Sequence, residues 1–306
     1  MALWDTLPFS LRQLQYLVAV ADLGGFRRAA DACGVAQPSL SAQVAQVEAA
    51  LGVQVFERGM RGVRVTVAGA AVLDRARGVL LASTDLTDTA RRHGDPLKGR
   101  VRIGVIPTVC PYLLPDIAAP LTHALPTLQV VWSEDKTDAL LAQLAEGRLD
   151  AALVADDARI GGLRHVELGD DPFVLAGAPQ HPLVKRKTPA STDALSGATV
   201  YLLDDGHCFR DQALALCGAS GAQAADLKAT GLSTLVQIVA AGAGVTLMPR
   251  MAVAVENRRG QLAVRRFASP APSRTLVLAW RKGSALAEPL EAVARIIRKA
   301  WPSAAR

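Results

Sequence analysis

The sequence predicts an α/β protein with an all-α N-terminal part that carries a β-hairpin wing. Three observations lead to this fold class. Apolar residues recur at helical spacing through residues 10–93, interrupted by an alternating segment at 51–66. After the Gly- and Pro-containing segment 94–99, short apolar runs of strand length alternate with helical stretches. The length of 306 residues favours two domains.

Three helices separated by glycines make up the first predicted motif. The apolar residues of 10–23 recur at helical spacing, and a Gly-Gly pair ends this helix. A short helix follows at 26–33 and is closed by Gly34. The third helix opens at Gln37 and Pro38, since proline is tolerated in a first turn, where its missing N–H is not needed. Short helices joined by a Gly-containing turn are typical of a helix-turn-helix.

A wing and a long helix are predicted next. The segment 51–66 alternates apolar and polar residues around a Gly-Met-Arg-Gly turn, which indicates a hairpin. Thr66 suits the N-cap of a helix from 67 to 93. This helix carries a heptad seam, which favours pairing with a second chain. The seam consists of Val72, Ala76, Val79, Ser83, Leu86 and Ala90.

The remaining chain alternates between strands and helices, as expected of an α/β domain. The predicted strands are 101–106, 128–132, 151–154, 173–176, 200–203, 244–248 and 275–280. The predicted helices are 137–146, 209–217, 233–241 and 285–300.

Composition and charge narrow the class of protein. Half of the residues are hydrophobic and 20% are charged, as in ordinary globular proteins. No stretch approaches about 18 consecutive apolar residues, and the N-terminus lacks the pattern of a signal peptide, so we expect no membrane association and a cytoplasmic location. The net charge of +6 fits nucleic-acid binding without proving it.

Two of the four cysteines form an unusual pair. Cys208 lies beside His207 and near Arg210, neighbours that favour a thiolate, and Cys217 follows nine residues later. The segment between them favours helix, which puts the two Cα atoms roughly 13–14 Å apart on opposite faces. A disulfide needs Cα atoms within about 7 Å. The pair cannot bond unless the segment refolds, which is the geometry of a redox switch.

A family resemblance now follows from the motifs. The segment AQPSLSAQVAQVEAAL at 36–51 and the Phe-Glu-Arg run at 56–58 resemble the helix-turn-helix signature of LysR-type transcriptional regulators. The order of helix-turn-helix, wing, long helix and α/β domain also resembles that family. The resemblance implies a winged helix-turn-helix at 1–66, a linker and dimerisation helix at 67–94, and a regulatory domain at 95–306. That domain is expected to contain two α/β subdomains, like a periplasmic binding protein.

Within that family the chain resembles the OxyR group of peroxide sensors. The similar segments are RRAAD at 27–31, GVIPTVCPYLLP at 104–115 and DGHCFRDQA at 205–213, together with Cys217. The resemblance implies a reversible disulfide between Cys208 and Cys217, formed after hydrogen peroxide oxidises Cys208. It further implies a homotetramer of linker-helix dimers on double-stranded DNA, activation of oxidative-stress genes with RNA polymerase, and re-reduction by a cellular thiol. It implies no cofactor, metal or enzymatic turnover.

A peroxide site needs a thiolate and donors that hold the peroxide. Cys208 begins a predicted helix, whose dipole favours the thiolate, and Arg210 adds positive charge. His207 can hydrogen-bond the sulfur or carry a proton. Thr108 and Thr137 lie at the carboxyl edge of the sheet, where α/β folds place ligands. The resemblance implies that both line the peroxide pocket, while helix N-capping is the alternative for each.

The DNA-binding candidates lie at the start of the third helix and in the wing. Short polar side chains at a helix N-terminus suit base edges and phosphates in the major groove. Wing arginines suit phosphates or the minor groove. The candidates are Arg12, Gln37, Pro38, Ser39, Ser41, Gln43, Arg58, Arg61 and Arg64.

The other cysteines carry weaker signals. Cys33 is expected to be a small core thiol. Cys110, two residues after Thr108, can approach the same pocket, but a buried bystander thiol is favoured. A metal site of Cys110, His207, Cys208 and Cys217 is disfavoured because the spacing matches no Cys-x-x-Cys zinc pattern.

Three functions remain in competition, and peroxide-responsive regulation leads. A regulator of the same architecture that binds a small metabolite between the two subdomains is the alternative, and it has no use for the pair Cys208 and Cys217. A thiol peroxidase is disfavoured because a turnover enzyme needs no helix-turn-helix.

Overall fold

The chain folds into two compact units, Met1–Arg91 and Arg92–Arg306. The computed structural model describes residues 7–59, 62–91 and 97–301. The first unit contains helices α1 (Leu11–Leu23), α2 (Phe26–Cys33), α3 (Gln37–Leu51) and α4 (Val67–Arg91), and strands β1 (Phe56–Gly59) and β2 (Gly62–Val65).

Local sequence explains the helix-turn-helix of the first unit. Ser10 caps α1 in a reciprocal capping box with Gln13. Gly24 and Gly34 adopt the left-handed conformation that ends α1 and α2. Pro38 occupies the first turn of α3. The predicted helix-turn-helix is therefore confirmed, with a core formed by Leu14, Leu17, Val20, Ala29, Leu40, Val44 and Val47.

The wing and the long helix follow as predicted. Strands β1 and β2 pair antiparallel, with Phe56 opposite Val65. The Thr66 hydroxyl accepts a hydrogen bond from the backbone N–H of Gly69 at 2.8 Å, and so caps α4. The predicted extension of α4 to His93 and the wing residue Arg61 lie outside the described residues.

The predicted heptad seam of α4 is only partly exposed. Ala76 is 4% exposed and packs, with Leu73, into the core of its own unit. Further along the helix, Val79 is 46% and Leu86 72% exposed. The heptad pattern therefore mixes intramolecular packing near the wing with an uncovered apolar edge beyond it.

The described residues of the second unit form an alternating series of strands and helices. In chain order they are β3 (Gly99–Val105), α5 (Cys110–Ala124), β4 (Leu128–Glu134), α6 (Thr137–Ala145), β5 (Ala151–Ala155), β6 (Arg164–Gly177), α7 (Pro182–Lys185), β7 (Thr199–Leu203), α8 (Cys208–Ser220), β8 (Gln223–Ala229), α9 (Leu232–Ala240), β9 (Val245–Pro249), α10 (Val253–Glu256), β10 (Ala263–Arg266), β11 (Ser273–Trp280) and α11 (Ala287–Lys299).

Strand β6 joins two subdomains. Its first half pairs with β11, and the order β4-β3-β5-β11-β6 forms the sheet of the first subdomain. Its second half, from Phe173 to Gly177, pairs with β9, and the second sheet continues through β7 to β8. The sequence predicted only 173–176 as strand, because the polar run Asp170–Asp171 interrupts the apolar pattern. The α/β fold class with two subdomains is confirmed.

The loops that follow β3, β4 and β7 carry the candidate residues. Strands β3 and β4 run parallel in the first sheet, and β7 and β9 run parallel in the second. Ligands of open α/β sheets bind beyond the carboxyl ends of such strands. Across the described ranges, no helix combines the length and the hydropathy that a membrane span requires.

Candidate functional site

Cys208 is the first residue of α8, and Cys217 lies on the same helix. Both are free thiols, and they are 3% and 2% exposed. Nine residues of helix separate their Cα atoms by about 13–14 Å, well beyond disulfide reach. Burial raises the pKa of the Cys217 thiol. In this conformation Cys217 is therefore a protonated thiol that has no path to Cys208.

The loop before Cys208 is fixed to the first subdomain by a lysine. Lys136 Nζ donates to both carboxylate oxygens of Asp204 at 3.1 Å and to the backbone oxygen of Asp205 at 2.7 Å. Gly206 turns the chain with a φ of 90°, and a Cβ there would lie 3.0 Å from Lys136 Cδ. The left-handed φ requires glycine at this position, and the Lys136 side chain leaves little room for a Cβ.

His207, the N-cap residue of α8, is buried with its ring against the same ion pair. Its Nε2 lies 3.1 Å from Asp204 Oδ1. Burial, helped by the charge of Lys136, lowers the pKa of His207, although Asp204 opposes this shift. The imidazole is therefore neutral at pH 7, and a neutral ring can accept a proton.

Thr108 belongs to a buried charged network that the sequence did not reveal. Arg274 donates to the Thr108 hydroxyl at 2.7 Å and to its backbone oxygen at 2.9 Å. Arg274 also pairs with Asp171 at 2.9 Å, and both side chains are fully buried. The guanidinium lies 5.4 Å from the ring centroid of Phe209, which contacts Phe173 edge to face at 5.1 Å. Arg274 thereby links Thr108 to the first turn of α8.

Thr137 is the first residue of α6 and is 1% exposed. Its hydroxyl has no hydrogen-bond partner among the described residues. Helix α6 packs tightly on β3, because a Cβ at Gly104 would lie 2.4 Å from Leu140 Cδ2. A buried hydroxyl without a partner is uncommon and is expected to meet a ligand or a water.

A cavity of about 510 Å³ lies between the two subdomains. Thr108, Lys136 and His207 line it together, so the structure brings two of the predicted site residues to one space. The other lining residues are Pro107, Pro111, Tyr112, Glu134, Asp135, Leu203, Thr230, Gly231, Leu232, Ser233, Val255 and Glu256.

Arg210 points to its own loop. Its guanidinium donates to the backbone oxygen of Leu203 at 2.6 Å and lies 3.1 Å from an Asp205 carboxylate oxygen. These contacts brace the turn that presents Cys208. Arg210 is thus placed to support the loop, while its predicted charge effect on the sulfur remains a prediction.

Cys110 and Cys33 are placed as two half-buried thiols. Burial and a hydrogen bond with Glu134 raise the pKa of Cys110 to about 12, which keeps this thiol protonated at neutral pH. The backbone oxygen of Cys33 accepts a hydrogen bond from Arg12 at 3.0 Å. Within the described part of the chain, no three His, Cys, Asp or Glu side chains are grouped as metal ligands.

The predicted DNA-binding residues differ in how exposed they are. Gln37, Pro38 and Ser39 are exposed at the start of α3, whereas Ser41 and Gln43 are half-buried. In the wing, Arg64 is exposed opposite Glu57. The Arg58 side chain lies outside the described atoms. Arg12 donates to Tyr16 at 3.0 Å as well as to Cys33, so it ties α1 to the end of α2.

Both units match known protein families. Residues 11–70 match the bacterial regulatory helix-turn-helix protein model of the lysR family, and residues 94–302 match the LysR substrate binding domain. A probable hydrogen peroxide-inducible genes activator of Mycobacterium leprae is 44% identical over 93% of this chain and 92% of its own. The transcriptional dual regulator OxyR of Escherichia coli K12 is 41% identical over 94% and 95%. The chain belongs to the LysR family and, within it, to the OxyR group.

Solved OxyR structures share the fold of this family member. Full-length OxyR of Pseudomonas aeruginosa is 31% identical, with 98% of each chain covered and a TM-score of 0.79. A peroxide-bound OxyR mutant of Corynebacterium glutamicum is 35% identical, covering 98% of this chain and 96% of its own, with a TM-score of 0.66. A reduced form of OxyR, 37% identical, covers 68% of this chain and 98% of its own, with a TM-score of 0.63.

Proposed function

We propose that this chain is a peroxide-responsive, DNA-binding transcriptional regulator whose sensor is Cys208. The observation that carries the proposal is the pair Cys208 and Cys217, buried as free thiols on one helix. Relatives named for hydrogen peroxide-inducible gene activation support it over most of the chain. The proposal is tested by a peroxide titration in which mass spectrometry follows the oxidation state of both cysteines and footprinting follows DNA binding.

The proposed chemistry has two steps. The Cys208 thiolate attacks one oxygen of hydrogen peroxide, the O–O bond breaks, and the departing hydroxide takes a proton to leave as water. The sulfenic acid on Cys208 then reacts with the Cys217 thiol, forming the disulfide and releasing a second water. Peroxide is reduced and the two thiols are oxidised. Two equivalents of a cellular thiol reduce the disulfide back to two thiols and are themselves oxidised to a disulfide.

Neighbouring groups have defined roles in this proposal. Arg274 donates to the Thr108 hydroxyl, so the hydroxyl hydrogen is left to donate to a peroxide oxygen. Thr137 offers a second buried hydroxyl. The neutral imidazole of His207 takes up the proton that the Cys208 thiol releases on ionising and passes it to the departing hydroxide, which leaves as water. Arg210 braces the loop.

Thr108→Val should slow the oxidation of Cys208 without unfolding the chain. Valine keeps the shape and removes one positioned donor, a loss that typically costs roughly 100–1,000-fold in preorganised sites. Stopped-flow oxidation at fixed pH measures the rate, and Thr122→Val, at an exposed threonine of α5, is the matched control. Equal rates for the Thr108 variant and the parent would remove Thr108 from the site.

Arg64→Ala should weaken binding to double-stranded DNA of any sequence. A lost phosphate contact lowers the slope of log affinity against log salt by about 1. Ser39→Ala should instead reduce discrimination between the operator and random DNA. Arg148→Ala removes an exposed arginine of the second unit and serves as the control. An unchanged salt slope for Arg64→Ala would exclude the wing contact.

Assembly and location complete the proposal. We expect a cytoplasmic homotetramer of linker-helix dimers, joined along the exposed edge of α4 at Val79 and Leu86. RNA polymerase is the expected partner at the promoter. The chain is not expected to turn over peroxide, so consumption should stop at one equivalent per subunit when no reductant is present.

The alternative is a regulator that binds a metabolite between the subdomains. The cavity of about 510 Å³ favours it, because its size and its mixed polar and apolar lining suit a small molecule. One experiment distinguishes the two proposed functions. A regulator that binds a metabolite keeps its transcriptional response when Cys217 is replaced by serine, whereas the proposed peroxide sensor does not.

A further inference from the structure

Arg159 lies in a short 3-10 turn after β5, in the first subdomain. Its Nε donates to Asp157 Oδ2 at 3.0 Å, and its backbone N–H donates to Asp157 Oδ1 at 2.9 Å. These bonds fix the guanidinium at the end of the turn. The side chain is 31% exposed, so its remaining face is available for other contacts.

The same guanidinium reaches two helices of different subdomains. Its Nη1 lies 3.2 Å from Asp138 and 3.9 Å from Asp211. Asp138 follows Thr137 in the first turn of α6, and Asp211 lies three residues after Cys208 on α8. One cation therefore contacts exposed carboxylates at both of the helix starts that carry the candidate peroxide groups.

Geometry places Arg159 beside the first turn of α8, because its contact Asp211 lies three residues after Cys208. The pKa of Arg159 is raised, first by its hydrogen bond with Asp157, although burial opposes this shift; nearby negative charges raise it further. Arg210, the cation expected from the sequence, is bonded to its own loop. The start of α8 thus has a charged neighbour from the opposite subdomain.

We propose that Arg159 is a positioning residue for Cys208: it supplies positive charge at the first turn of α8, which begins with Cys208, and holds that turn against α6 in the reduced state. The proposal rests on the proposed peroxide function of this chain. It predicts two effects of opposite sign. Loss of the cation slows the attack of Cys208 on peroxide, whereas loss of the tie to Asp211 makes the disulfide easier to form.

The first experiment isolates the attack on peroxide. In full-length protein with Cys217→Ser, the sulfenic acid is formed and the disulfide is not. Arg159→Gln should react about twofold to fivefold more slowly, the range that a partly exposed charge contact supports. Arg159→Lys, which keeps the positive charge, should recover most of the loss. Asp211→Asn should react no more slowly than the parent.

The matched control is Arg164→Gln, which breaks an exposed pair with Glu291 at 2.7 Å. It should leave the rate of oxidation unchanged. Equal rates for Arg159→Gln and the parent would overturn the proposal, and so would an equal slowing by Asp211→Asn. If the parent itself does not react with peroxide, the proposed function fails instead.

The second experiment measures the disulfide at equilibrium in a thiol buffer, with both cysteines present. Arg159→Gln and Asp211→Asn should each shift the ratio of disulfide to dithiol upward by about twofold to fivefold, since each removes a contact of the reduced state. A downward shift or no shift in both variants would overturn the tie between α8 and α6.

Discussion

Cys208→Ser is expected to abolish the transcriptional response to hydrogen peroxide, while DNA binding persists. The serine hydroxyl is close to the thiol in size but is not ionised at neutral pH, so the sulfenic acid and the disulfide cannot form. Cys208 belongs to the unit Arg92–Arg306, and the helix-turn-helix belongs to Met1–Arg91. Loss of sensing and retention of DNA binding are therefore separable.

Reporter transcription after peroxide treatment measures the response, and footprinting on reduced protein measures DNA binding. Cys110→Ser is the internal control, since its protonated, half-buried thiol has no role in the proposed chemistry. It should respond as the parent does. A Cys208→Ser protein that still activates on peroxide would move the sensor elsewhere. A Cys208→Ser protein that loses DNA binding would instead indicate misfolding.

Local patterns predicted most of the fold. Helix α1 follows from apolar spacing and Ser10, and the wing follows from alternation around a Gly-rich turn. Helix α5 was not predicted, because Pro115 and Pro120 lie inside it and proline is unfavourable in a helix interior. It nevertheless forms, since Leu113, Ile117 and Leu121 bury one face against the sheet.

Two strands were also missed, for reasons of packing. Strand β8 (Gln223–Ala229) is rich in alanine and polar residues and pairs only with β7, at the sheet edge. Strand β10 (Ala263–Arg266) is four residues long and pairs only with β6. Neither carries the β-branched pattern from which strands are predicted.

The candidate site, like the fold, could be predicted only in part. The cysteine pair and His207 are local in sequence, so their spacing could be interpreted directly. Arg274 and Asp171 are 103 residues apart, and Arg159 meets Asp211 across the subdomains. A single sequence does not reveal such pairs, because it does not show whether an arginine is buried or solvated. That depends on the residues that the fold brings next to it.

Oxidation is expected to unfold the first part of α8. The cysteine Cα atoms lie about 13–14 Å apart in a helix and must come within about 7 Å. Burial of Cys217 also raises the pKa of its thiol, so the helix must open before this thiol can react. Phe209, now 1% exposed against Phe173, then loses its packing site.

The energy terms favour a readily reduced disulfide. Closing a loop of about ten residues stabilises by roughly 2.5–3 kcal/mol. Losing the packing of a buried phenylalanine costs about 3–5 kcal/mol. The disulfide form therefore needs new packing for Phe209, and refolding of α8 provides a two-state element that can reposition neighbouring subunits.

Hydrogen exchange of reduced and oxidised protein tests this mechanism. Backbone protection across 209–218 should fall about 1,000-fold or more on disulfide formation, since helical hydrogen bonds in that segment are lost. Helix α9 should keep its protection and serves as the internal reference. Cys217→Ser treated with peroxide should keep the α8 protection, because sulfenic acid alone imposes no closure. A disulfide-bonded protein with unchanged exchange across 209–218 would remove the refolding mechanism, even if both cysteines proved essential for the response.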